Sequence, residues 1–112
     1  LTAIRQGRII TFVETALFTR LVASYIEDDS YRALQVVLAC DPAAGSVIPR
    51  SGGIRKIRWG AMGRGKRGGV RVVYFLKQAS GVIWLLTIYA KNEVADIPPE
   101  ALRRIREEIE NE

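Results

Sequence analysis

Three short, β-branched, apolar runs, at residues 54–59, 70–76 and 82–89, follow one another with no helical period between them. Strands so close in sequence pair most readily with their neighbours, so the second half of the chain is expected to form an antiparallel meander. Residues 78–81, Gln-Ala-Ser-Gly, read as the hairpin turn between the last two runs. Ahead of the meander, residues 8–13 (RIITFV) form another strand-like run. Leu17, Phe18, Leu21, Val22, Tyr25 and Ile26 then pair at a spacing of four, which predicts a helix. Asp28-Asp29-Ser30 ends that helix and caps a second, whose expected apolar face is Ala33, Leu34, Val37 and Leu38, with Asp41-Pro42 as its stop. Residues 42–53 are rich in Pro, Gly and Ser and read as loop. Pro98-Pro99 opens a last helix with the stripe Leu102, Ile105 and Ile109. The predicted order β-α-α-β-β-β-α defines one α+β domain over residues 1–112, an antiparallel sheet with helices packed on one face.

Charge is segregated along this order. Between Pro42 and Asn92 there are ten basic residues (Arg50, Arg55, Lys56, Arg58, Arg64, Lys66, Arg67, Arg71, Lys77 and Lys91) and no Asp or Glu. The chain holds 17 basic and 12 acidic residues, which leaves seven basic against twelve acidic outside that segment. A field of +10 beside flanks of −5 attracts polyanions, of which nucleic acid is the commonest in a cell.

The same composition excludes several chemistries. There is no His and a single Cys, so neither a His-dependent nucleophilic system nor a zinc ligand set can be assembled, and no cofactor or metal is expected. Gly60–Lys66 matches G-x-x-x-x-G-K, but Arg67 replaces the Ser or Thr that binds magnesium and a strand-like run follows in place of a helix. Gly63–Gly68 matches G-x-G-x-x-G and fails for the same lack of a helix. Cys40, in an apolar run, is expected to be a buried thiol, and a lone cysteine suits a reducing cytosol. No run approaches the roughly 18 apolar residues of a membrane span, and no signal peptide is apparent, so a cytoplasmic protein without membrane association is expected.

Strand alternation places the cations. Lys56 and Arg58 share one face of their run, opposite Arg55, Ile57 and Trp59. Arg71 is in phase with Val73 and Phe75, and Tyr89 with Lys91. In a meander these groups converge at one end of a sheet face if the register permits. Fixed cations there would stabilise charge developing on a phosphate, and Tyr89 offers a ring for stacking on a base. Trp59 and Trp84 are expected in the core.

Three segments carry a family resemblance: Pro42–Pro49 with Gly52–Trp59, Gly65–Tyr74 (GKRGGVRVVY), and Leu86–Asn92 (LTIYAKN). Together they resemble the RelE/HigB toxins of bacterial type II toxin–antitoxin systems, closest to the HigB-like branch. The resemblance implies a RelE-like fold and a ribosome-dependent mRNA endoribonuclease that inhibits translation. It implies metal-independent cleavage, in which the ribose 2′-hydroxyl attacks the adjacent phosphate. On the matching positions it implies Lys56, Arg58, Arg71 and Lys91 as catalytic residues; the basic field and the strand phase add Arg55, Arg64, Lys66, Arg67 and Tyr89 as expected RNA contacts. Asn92 stands where RelE has a second basic residue, and the RelE-type tyrosine of the C-terminal helix has no counterpart here. The implied partners are a cognate antitoxin of small helix-turn-helix type, the ribosome with its mRNA, and operator DNA reached through the antitoxin complex. Two alternatives compete: a ParE-like poison of DNA gyrase without nuclease activity, and a non-catalytic RNA- or operator-binding module.

Overall fold

A computed structural model of the chain describes residues 2–5, 8–60, 69–90 and 97–111. Among these residues the strands are β1 (Thr2–Arg5), β2 (Arg8–Glu14), β3 (Ser46–Val47), β4 (Arg55–Trp59), β5 (Val70–Lys77) and β6 (Val82–Ala90). The helices are α1 (Ala16–Tyr25), α2 (Asp28–Cys40) and α3 (Pro99–Glu110). One sheet holds the strands in the order β1-β2-β6-β5-β4-β3.

The meander β4-β5-β6 forms as its spacing predicts, with both pairings antiparallel. The sheet as a whole is mixed, however, because β2 lies parallel to β6. The cause is the helical crossover. The chain leaves β2 through α1 and α2, traverses the sheet, and completes the meander so that β6 runs alongside β2 in the same direction. Thr15 fixes this junction: its backbone N–H donates to the Leu85 carbonyl at 3.1 Å and its hydroxyl to the Leu86 carbonyl at 2.8 Å. The same hydroxyl oxygen accepts from the Phe18 N–H at 3.0 Å, capping α1.

Helices cover both sides of the sheet, not one. Val70, Val72 and Tyr74 of β5 join Ile83, Leu85 and Ile88 of β6 under α1 and α2, around the fully buried Phe18, Leu34 and Leu38. Val73, Phe75, Leu86 and Tyr89 point the other way and pack against Leu102 and Ile109 of α3. Strands β5 and β6 are apolar on both faces and therefore need cover on both. A break in register at Val73/Tyr74, where Leu86 is the extra residue of β6, keeps each set on its own side.

Helix α2 buries Leu34, Gln35, Leu38 and Ala39. Ala33 and Val37 of its expected face are exposed, a shift of one residue at the same spacing. Cys40 is likewise exposed at the last position of α2 rather than buried. Pro98 and Pro99 start α3 as expected. At its other end Lys77 Nζ donates to the Ile109 carbonyl at 3.0 Å, a cation at the negative pole of the helix.

Candidate functional site

The register turns the parity argument into positions. Arg58 of β4 lies directly opposite Arg71 of β5, and Arg71 opposite Tyr89 of β6. One step along, Lys56 lies opposite Val73, and Val73 opposite Thr87. All belong to the α3 side of the sheet. Lys56, Arg58, Arg71 and Tyr89 thus share one face, with neighbouring strands about 4.8 Å apart. Arg58 is exposed, Lys56 and Arg71 are half-buried, and Tyr89 is buried against α3.

Directly opposed side chains in an antiparallel pair have Cβ atoms about 4.5–5.5 Å apart, and like charges there repel. Among the described residues no carboxylate offsets the Arg58–Arg71 pair, the one ion pair being Arg32–Asp29 at 3.5 Å on exposed α2. Arg71 makes a marginal contact with the Val70 carbonyl, 3.5 Å from Nη1. Two arginines in opposed register, with no acid paired to them among the described residues, would together suit an anion with several oxygens, such as a phosphodiester.

Beside this row lies a cleft of about 430 Å³ between the β3–β4 segment and the start of α3. Lys56, Val73 and Tyr89 form its floor on the sheet, Ser46 and Ile48 one wall, and Ile97, Pro99 and Leu102 the other. Arg50, at its rim, has a left-handed backbone with φ of 61°.

A buried clamp behind the site holds the β3 segment against β4. The Tyr74 hydroxyl donates to the Pro42 carbonyl at 2.7 Å and accepts from the Gly45 N–H at 2.9 Å. Burial raises the pKa of this phenol, which therefore stays protonated and able to donate. Arg55 Nη1 donates to the Gly45 carbonyl at 2.6 Å and to that of Ala43 at 3.3 Å. Gly45 is required at this point, because a Cβ would lie 2.9 Å from the Lys56 carbonyl and from the Tyr74 ring. The two-residue pairing Ser46↔Lys56 and Val47↔Arg55 then completes the edge of the sheet.

The structure thus brings Lys56, Arg58, Arg71 and Tyr89 together and sets Arg55 apart. Arg55 is on the α1/α2 face, tied to loop carbonyls, because it is one residue out of phase with Lys56. Arg64, Lys66, Arg67 and Lys91 lie outside the described residues, as does most of the glycine-rich segment that matched nucleotide-binding patterns. Trp59 is half-buried at the α2 side and donates its indole N–H to Ser30 Oγ at 2.9 Å; Trp84 is half-buried beside the α3 core. Sequence reasoning missed Ser46, the cleft and the Tyr74 clamp. Tyr74 did carry a signal, a phenol in phase with core valines, since a buried phenol needs a polar partner.

Among the described residues no group of three or more His, Cys, Asp or Glu side chains gathers to hold a metal, and no helix is long and apolar enough to cross a membrane. No protein-family model matches the chain.

Proposed function

We propose that this protein is a metal-independent endoribonuclease acting on mRNA in the ribosome, the toxin of a type II toxin–antitoxin pair in the cytoplasm. The observation that carries the reading is the placement of Lys56, Arg58 and Arg71 on one sheet face, with the arginines opposed and no acid beside them among the described residues. A gyrase poison has no need of such a phosphate-sized cluster. In the proposed reaction the ribose 2′-oxygen bonds to the adjacent phosphorus and the bond from phosphorus to the 5′-oxygen breaks. The 2′-hydroxyl proton is lost and a proton is delivered to the leaving oxygen, giving a cyclic phosphate and a free 5′-hydroxyl. Arg71 and Arg58 stabilise the charge that accumulates on the non-bridging oxygens, while Lys56 positions the phosphate. The antitoxin neutralises the protein by covering the basic face, and the pair together reaches operator DNA.

Primer extension on an mRNA in a reconstituted translation system tests this. Discrete cuts within A-site codons are expected with the wild type and none with Arg71→Ala. Efficient cutting of naked RNA that depends on added magnesium or manganese would overturn the reading.

A further inference from the structure

We infer that Arg106 of α3 is a positioning residue for the proposed site: it props the turn at residues 49–53 and so holds Arg50 near Lys56 as a further cation for the RNA backbone. This deepens the endoribonuclease reading and rests on it. Arg50, Gly52 and Gly53 of the turn are all in the left-handed region, at φ of 61°, 82° and 102°. Glycine takes that conformation freely, whereas a residue with a side chain takes it at a cost. Its surroundings must therefore hold Arg50 in place. Part of the hold is Ser51, which is fully buried. Its hydroxyl donates to the Ile48 carbonyl at 2.6 Å and accepts from the Ile54 N–H at 3.1 Å. The Ile48 N–H closes the loop on the Ile54 carbonyl at 2.8 Å.

The rest of the hold comes from α3. The turn contributes to two cavities: Pro49 and Arg50 line the cleft, while Gly52 and Gly53 line a second, of about 500 Å³, together with Arg106. A turn flanked by open space has little packing of its own, and Arg106 supplies it. Its side chain crosses Gly52 so closely that a Cβ there would lie 2.7 Å from Arg106 Cδ and would collide with Nε. Arg106 Nε is buried with no hydrogen-bond partner among the described residues, so packing and not pairing sets this side chain over the glycine. Arg50 itself is exposed and lines the same cleft as Lys56. Each nucleotide brings one negative charge, so a phosphate next to the one at Arg58 and Arg71 calls for a cation of its own. A cation already fixed in place binds without first losing its freedom.

Two measurements on the whole chain test this. The Arg50–Ser51 bond leads from an exposed arginine into a fully buried serine, so trypsin reaches it only when the turn opens. Arg106→Ala should be cut there several-fold faster than wild type, read by mass spectrometry of the fragment ending at Arg50. Arg106→Met, which refills the space over Gly52 without a charge, should restore the slow rate. The second measurement is the affinity for a short single-stranded RNA whose 2′-O-methyl sugars prevent cleavage, taken over a range of salt. Arg50→Gly removes the cation and eases the backbone. It should weaken binding about 1.5- to fivefold, the range of an exposed ion pair, and lower the salt slope by about 0.7, the share of one phosphate contact on a single strand. Arg106→Ala should give the same loss, the double variant no more than either alone, and Arg106→Met should recover the affinity. Additive losses, a Met variant as weak as the Ala variant, or a cutting rate unmoved by Arg106→Ala overturns the inference. If Arg106→Ala loosens the turn while the wild type neither binds nor cuts RNA, the nuclease reading falls and Arg106 remains the prop of the turn.

Discussion

The two faces of the sheet are built to different ends from the same strands. On the α1/α2 side, Phe18, Leu34, Leu38, Val70, Val72, Tyr74, Ile83, Leu85 and Ile88 are all fully buried, and the cation there, Arg55, is tied to carbonyl oxygens. On the α3 side the apolar cover is partial. It spans Val73, Phe75, Leu86, Leu102 and Ile109, then gives way to Lys56, Arg58 and Arg71 with no described acid among them. One face contributes stability through close packing; the other sets like charges in opposed register, where repulsion is expected to cost a little stability. The difference is what supports the proposal of a site on the second face, since burial alone has no use for arginines in opposed register.

The contrast breaks most clearly if a substitution on the packed face alters chemistry or one on the charged face alters folding. Phe18 is completely buried and its ring centroid lies 5.7 Å from that of Tyr31. Phe18→Ala should cost about 3–5 kcal/mol in denaturant unfolding. The fraction that remains folded should keep its normal rate of mRNA cleavage. Arg71→Ala should do the opposite, lowering single-turnover cleavage about 10²–10³-fold. Its unfolding midpoint should stay within the ~0.5 kcal/mol typical of changes away from a core. A variant that loses both properties together would erase the distinction between the faces.

Gly45 sits between the two. It is buried against Tyr74 on the packed side, and a Cβ added there would lie 2.9 Å from the carbonyl of Lys56. Gly45→Ala should therefore destabilise by about 1–3 kcal/mol, the usual cost of overpacking, and also slow cleavage. Tyr74→Phe, which keeps the ring and removes its hydrogen bonds to Pro42 and Gly45, should cost about 1 kcal/mol. Thermal unfolding with cleavage measured on the same samples sharpens the point. Normal cleavage by folded Gly45→Ala protein would show that the clamp is structural only.

Sequence alone made the charged face more legible than the architecture that supports it. Alternation along a strand is local, so the phase of Lys56 with Arg58, and of Arg71 with Val73, could be read from a few residues. The pairings β1–β2 and β2–β6 join segments through contacts that no local period encodes, and β3 is only two residues long. Periodicity also says which residues of a helix face the same way, but not which way that is. Leu34 and Leu38 therefore point into the core as expected, while Ala33 and Val37 yield their places to Gln35 and Ala39. The stripe Leu102, Ile105 and Ile109 was read from its spacing, yet its placement on the opposite side of the sheet follows from the apolar character of both faces of β5 and β6. Gly45 and Tyr74, 29 residues apart, meet only in the folded chain.

The smallest expected effect is the most direct test of the charged face. If Arg58 and Arg71 repel one another across β4 and β5, removing one charge should make the fold more stable. Cross-strand pairs contribute about 0.2–1 kcal/mol, and Arg58 is exposed, so Arg58→Gln should gain a few tenths of a kcal/mol in dilute buffer. The gain should disappear near 1 M salt, where the screening length falls to about 3 Å. A bound polyanion should reverse the order, because it stabilises the protein with both arginines more than the variant. Arg71→Gln should behave alike, and the double variant should gain less than the sum of the two, because the repulsion can be removed only once. Unfolding curves for the four proteins at low salt, at high salt and with a short RNA measure all of this. An equal shift at every salt concentration would mean that the two arginines do not feel one another, and the case for a site preformed around an anion would lose its physical basis.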